Sequence, residues 1–91
     1  MELSWVRSAL GDLEDAGAFI AGDNPQAART MAQRVGEAVE YLMEHPALGR
    51  AGRVRGTREL VVSGTPLIVV YRIRFDHIQV LRVLHHARMW P

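Results

Sequence analysis

The chain opens on a short alternation. In "MELSW", Leu3 and Trp5 fall on one side, which predicts a brief first strand. From Arg7 to Ala21 the spacing changes to helical, with Leu10, Leu13, Gly17 and Ile20 forming a stripe and Asp12, Glu14 and Asp15 facing out. "GDNP" interrupts this pattern. Gly22 suits a helix end, Asn24 can cap the next helix, and Pro25 fits a first turn, where its missing N–H needs no partner. Ala28, Met31, Ala32, Val35, Val39 and Leu42 then make one continuous apolar face, and Pro46 predicts that this second helix stops at His45. After a loop at 49–56, the segments 57–62, 67–75 and 77–86 are rich in β-branched and aromatic residues. "SGTP" and "FDH" separate them as turns. The predicted order is β-α-α-β-β-β, an α+β fold with a helical hairpin packed on a small antiparallel sheet.

With 91 residues the chain makes one domain, 1–91, and 48% apolar content argues against disorder. There is no cysteine, which excludes disulfides and thiolate metal sites. No cofactor or metal is expected. No apolar run is long enough to cross a membrane and no leader-like start precedes the first strand, so no membrane partner is expected and the cytoplasm is the default location.

The net charge is only +1, yet all eleven basic residues are arginine and their distribution is lopsided. Beyond position 45 the only acidic residues are Glu59 and Asp76, whereas "GRAGRVRGTR" alone carries Arg50, Arg53, Arg55 and Arg58. An acidic first half and a basic second half point to an anionic partner for the latter, either nucleic acid or an acidic protein segment.

Four stretches carry a family resemblance: "NPQAA", "HPALGRAGRVRGTRELVV", "PLIVVYRI" and "VLRVLHHAR". In this order, and spanning nearly the whole chain, they resemble the ParE/RelE superfamily of toxins from bacterial type II toxin–antitoxin modules. Two positions depart from the pattern. Leu67 stands where many members have tyrosine, and Val6 where a capping serine or threonine is usual. The resemblance implies a growth-inhibiting protein held in a heteromeric complex with a cognate antitoxin. It also implies one of two targets. ParE-like members inhibit DNA gyrase without being enzymes, whereas RelE-like members cleave mRNA in the ribosomal A site without a metal.

The residues bear on that choice. RNA cleavage needs groups that move protons at the 2′-hydroxyl and the leaving oxygen, with fixed cations around the phosphate. RelE-like members supply an arginine in the middle strand, and here the matching position is Ile68, which cannot stabilise a phosphorane. This favours gyrase inhibition. The alternative, an mRNA interferase, would use His86 and Arg88 as its catalytic candidates with Arg53 and Arg55 on phosphate. A third alternative is a binding module whose toxicity has been lost. Counting by twos from Ile78 places Arg82 and His86 on one face and His85 on the other. The simpler role for His86 is to anchor the chain end, and His45 and His77 read as structural or exposed. Arg58 starts the second strand of the meander. Arg72 and Arg74 share one face of the middle strand, alternating with Ile73 and Phe75. With Arg53, Arg55, Arg58 and Arg82 they are the candidate contacts to a target or a phosphate. Trp90 is a candidate docking residue.

Overall fold

The computed structural model describes residues 1–85. His86, Arg88 and Trp90 therefore lie outside the described residues. The elements are β1 (Glu2–Trp5), α1 (Arg7–Ala21), α2 (Pro25–Glu44), β2 (Arg50–Ala51), β3 (Arg58–Val61), β4 (Leu67–Arg74) and β5 (His77–His85). One five-stranded sheet in the order β1-β5-β4-β3-β2 carries the two helices on one face.

The α+β architecture and the helical hairpin follow the expectation, with two changes in the sheet. The sheet is mixed, because β1 pairs with β5 in parallel while the other pairings are antiparallel. Strand direction is not encoded in apolar periodicity. It follows from the connections: the chain reverses from β3 to β4 and again from β4 to β5, and β1 adds at the edge of β5 in the same direction. The loop expected at 49–56 also contains β2, whose two residues pair with Arg58 and Glu59.

The core forms between the inward residues of α2 and alternate residues of the sheet. Met31, Val35, Val39 and Leu42 meet Val62, Leu67, Val69, Tyr71, Ile78, Val80 and Val83. Asn24 caps α2 by accepting from the Ala27 N–H, and Pro25 follows in the first turn, as the sequence predicts. On α1 the buried stripe differs from the expected one. Ala9 is fully buried, with Leu13, Ala16 and Ile20 packed beside it, whereas Leu10 is 47% exposed. The contact stripe therefore runs through positions 9, 13, 16 and 20, one helical face that leaves Leu10 outside it.

β5 contains an irregularity. Val70 pairs with Arg82, but its neighbour Tyr71 pairs with Val80, so Leu81 is an extra residue in the ladder. Counting by twos therefore fails across it. Ile78 and Val80 face the helices, and Val83, not Arg82, continues that face.

Candidate functional site

The β4–β5 ladder is the longest in the molecule, and its two ends differ in chemistry. At the Leu67/His85 end, α1 lies alongside the part of β5 that β1 does not reach. There the Asp12 carboxylate receives a fork of two hydrogen bonds from Arg82, at 2.7 and 3.0 Å, and a third at 3.0 Å from the Val83 N–H. Asp12 thus takes the place of a strand neighbour for β5 and does not face solvent as the helical spacing predicts. The same bonding raises the Arg82 pKa, with Asp12 holding the guanidinium in its charged form. Beside this latch is a groove of about 660 Å³ lined by Asp12, Asp15, Ala16, Phe19, Ile20, Pro66, Leu67, Val83, Leu84 and His85. Its walls are mainly apolar, and Phe19 stands at the groove with 82% of its surface exposed.

The other end of the ladder is basic. The β2–β3 connection, 52–57, and the β4–β5 turn at Phe75 and Asp76 emerge on the same side, because Arg58 pairs with Tyr71 and Arg74 with His77. Arg53 and Arg55 lie in the first of these loops, and Arg72 and Arg74 end β4. The even-numbered β4 residues face away from the helices, so Arg72 and Arg74 share the open face with Gln79 and His77. Arg72 donates to Gln79 at 2.7 Å. His77 lies in β5, not in the turn, and its Nε2 is 2.6 Å from Ser4 Oγ, tying the last strand to the first.

Not every arginine that the sequence marks is equally available. Arg58 donates to the carbonyls of Ala47 and Gly49, so it braces the 46–49 segment. Arg82 is engaged by Asp12. The side chains of Arg53, Arg55 and Arg74 make no hydrogen bond or ion pair among the described residues. Arg50 pairs with Glu59 at 3.3 Å, and Glu59 also accepts from the Arg53 N–H, which shapes the loop without using the Arg53 guanidinium.

Between the two ends lies a fixed centre. The buried Tyr71 hydroxyl donates to the Pro46 carbonyl at 2.7 Å and accepts from the Gly49 N–H at 2.9 Å. A side chain at Gly49 would sit 2.7 Å from the Tyr71 ring and hydroxyl, so only glycine fits there. Burial pushes the Tyr71 pKa upward, outweighing the Gly49 hydrogen bond and the nearby Arg58 charge.

The row that contains Ile68 lies on the side of the sheet away from the helices, towards the groove end. Ile68 is flanked across the ladders by Val61 and Leu84, an apolar row without a cation. Among the described residues no group of histidines and carboxylates could hold a metal ion, and no helix is long and apolar enough to cross a membrane.

Two helices on this mixed sheet define the α+β fold class of the ParE/RelE toxins. The chain matches the model of the family described as ParE toxin of type II toxin–antitoxin system, parDE, over residues 3–90, and it belongs to that family. It is therefore a toxin of a type II toxin–antitoxin system, a class whose members are paired with a cognate antitoxin. Among its relatives, Y4kP of Sinorhizobium fredii is 44% identical over 98% of this chain and 92% of its own length. Toxin RelE2 of Caulobacter vibrioides is 33% identical over 97% of this chain and 98% of its own. A solved structure of the chromosomal ParDE system from P. aeruginosa superposes with a TM-score of 0.82 at 28% identity, covering 93% of this chain and 95% of that one. A YoeB/ParE toxin from Agrobacterium tumefaciens shares the fold at a TM-score of 0.67 and 18% identity, with 94% and 99% covered.

Sequence reasoning missed three residues at these two ends. Asp12 was placed among the solvent-facing acids, although a carboxylate one turn into a helix beside a strand edge can serve that edge. Phe19 falls off the apolar stripe, which is itself the signal of an exposed aromatic. Phe75 occupies a two-residue turn without the usual glycine or asparagine.

Proposed function

We propose that this toxin acts as a non-enzymatic inhibitor of DNA gyrase, and that its antitoxin neutralises it by filling the groove at the Leu67/His85 end. The observation that carries the first part is the apolar row Val61–Ile68–Leu84, on the side of the sheet away from the helices. Cleavage of RNA places extra negative charge on phosphate, and stabilising that charge calls for a fixed cation in the strand position that Ile68 holds. The structural likeness to a ParDE system supports the same direction. For the antitoxin, the groove offers Phe19, Ile20, Leu67 and Leu84 to an apolar segment, with Asp15 and His85 as polar contacts.

The second reading, ribosome-dependent mRNA cleavage, is favoured by the likeness to RelE2 and by the arginines of the 52–57 loop. It would assign proton transfer to His86 and Arg88. Two assays on purified toxin separate the readings, gyrase supercoiling and mRNA cleavage on programmed ribosomes. Inhibited supercoiling with intact mRNA is the expected result. Site-specific mRNA cleavage with unaffected supercoiling would reverse the assignment. Replacing His86 with alanine is expected to leave toxicity in place. Its complete loss in a folded variant would restore the catalytic role.

A further inference from the structure

Phe75 is the sole non-glycine residue with positive φ among the described residues, at 55°. It holds the first position of the two-residue turn between Arg74 and His77, a place where such turns favour glycine because the side chain is strained there. The ring is also fully exposed, so packing within the domain does not offset that strain. The turn itself is held by the Glu2 N–H, which donates to the Asp76 carbonyl at 2.9 Å. Folding gains nothing visible from an aromatic side chain at this point.

Its surroundings are equally distinctive. Ile73, also exposed, lies next to it on one side, and Arg74 and Arg72 present guanidinium groups on the other. Arg53 and Arg55 emerge at the same end of the sheet. An exposed aromatic with several arginines at the same end of the sheet has the composition of an interface anchor.

We propose that this end of the sheet is the surface that engages the target, with Phe75 inserting into an apolar pocket of a protein and Arg74 and Arg72 pairing with carboxylates around that pocket. The inference rests on the gyrase reading and specifies how gyrase is contacted. A protein fits better than nucleic acid because the patch carries both signs of charge. Glu2 and Asp76, next to His77 and Phe75, can meet basic side chains that a protein surface offers beside its carboxylates, whereas a phosphate backbone is uniformly anionic. The planar fork of arginine suits the paired oxygens of a carboxylate.

The decisive substitution is Phe75→Gly, because glycine relieves the backbone and the variant is expected to melt at or above the wild-type temperature. Supercoiling inhibition should then need at least tenfold more toxin, while antitoxin affinity measured by calorimetry stays within twofold. Phe75→Trp should retain inhibition, and Arg74→Glu should weaken it as Phe75→Gly does. Wild-type inhibition that survives Phe75→Gly unchanged would overturn the surface while leaving the gyrase reading intact. A wild-type protein that does not inhibit gyrase would overturn the reading itself, and this partner with it. Binding to a DNA duplex alone that is lost with Phe75→Gly would overturn the protein partner in favour of nucleic acid. Self-association of the wild type that the variant lacks, seen by sedimentation, would overturn it in favour of a second copy.

Discussion

The two ends of the β4–β5 ladder are joined by the same strands, about 24 Å apart at roughly 3.4 Å per residue, yet they solve different problems. At the groove end polar groups are matched: Asp12 serves Arg82 and Val83, and the remaining surface is mainly apolar and concave. At the turn end several are not: the side chains of Arg53, Arg55 and Arg74 make no hydrogen bond among the described residues, and Phe75 protrudes from a strained turn. A domain of this size gains little stability from unmatched arginines and an exposed ring. Under the proposed reading, such features are explained by binding and not by folding. The matched end is built to hold its shape, and the unmatched end to meet something else. If that division is right, substitutions at each end should separate stability, antitoxin binding and target inhibition.

The largest effect is expected at the latch. Asp12→Ala removes three charge-assisted bonds to the carboxylate and leaves the Val83 N–H without its acceptor, a loss of about 2–3 kcal/mol. For a domain of this length that lowers Tm by roughly 10 °C or more. Antitoxin affinity should fall as the groove wall loosens, and gyrase inhibition per folded molecule should persist. Thermal melting, calorimetry and supercoiling on one preparation check all three. Equal loss of antitoxin binding and inhibition would show that the ends are not separable.

The centre of the ladder provides the control. Tyr71→Phe removes the donor to Pro46 and leaves the Gly49 N–H unsatisfied, which should destabilise by about 1–3 kcal/mol. Because Tyr71 belongs to neither end, the two binding activities should decline only in proportion to the unfolded fraction. Selective loss of one activity in this variant would mean that the centre relays between the ends.

How much of this was readable from the chain depends on what kind of information each feature needs. α2 was legible from Met31, Val35, Val39 and Leu42, because a one-sided helix in a two-layer domain writes its burial directly into periodicity. β4 and β5 were legible for the same reason, to within a residue at each end that the structure describes. The parallel pairing of β1 was not, since Leu3 and Trp5 alternate identically whichever way the neighbour runs. Nor was the extra residue at Leu81, which shifts the faces of the described residues after it and so misplaced Arg82. At the candidate sites, arginine content was visible but its use was not. Arg58, Arg72 and Arg74 look alike in sequence, and only tertiary contacts show that the first braces a loop, the second meets Gln79 and the third projects outward.

A smaller effect tests the groove without disturbing the fold. Phe19→Ala removes an 82% exposed ring, so stability should stay within about 0.5 kcal/mol of wild type. Antitoxin affinity should drop tenfold or more in calorimetry, because an aromatic at an apolar groove is the kind of side chain that dominates binding. Supercoiling inhibition should not change. An unaltered antitoxin affinity would place the antitoxin elsewhere and remove the groove from the comparison.

The smallest effect is a pH dependence confined to the centre. Tyr71 is held protonated by burial, so its pKa in the folded chain lies above the ordinary value of 10.0. In the unfolded chain the phenol ionises near that ordinary value and loses its proton first. Between the two values the unfolded state binds fewer protons, so stability is fully present below about pH 10 and declines as pH rises towards the folded-state value. Tyr71→Phe cannot show this decline. Urea unfolding of both proteins from pH 8 to pH 11 should therefore give stability curves that converge at the alkaline end, with the wild type losing its advantage. Parallel curves would mean that the phenol ionises equally in both states, and that the hydroxyl binding Pro46 and Gly49 is not sealed from water. The centre would then be as open as the turn end, and the contrast between a closed and an open region would have to be redrawn around the Asp12 latch alone.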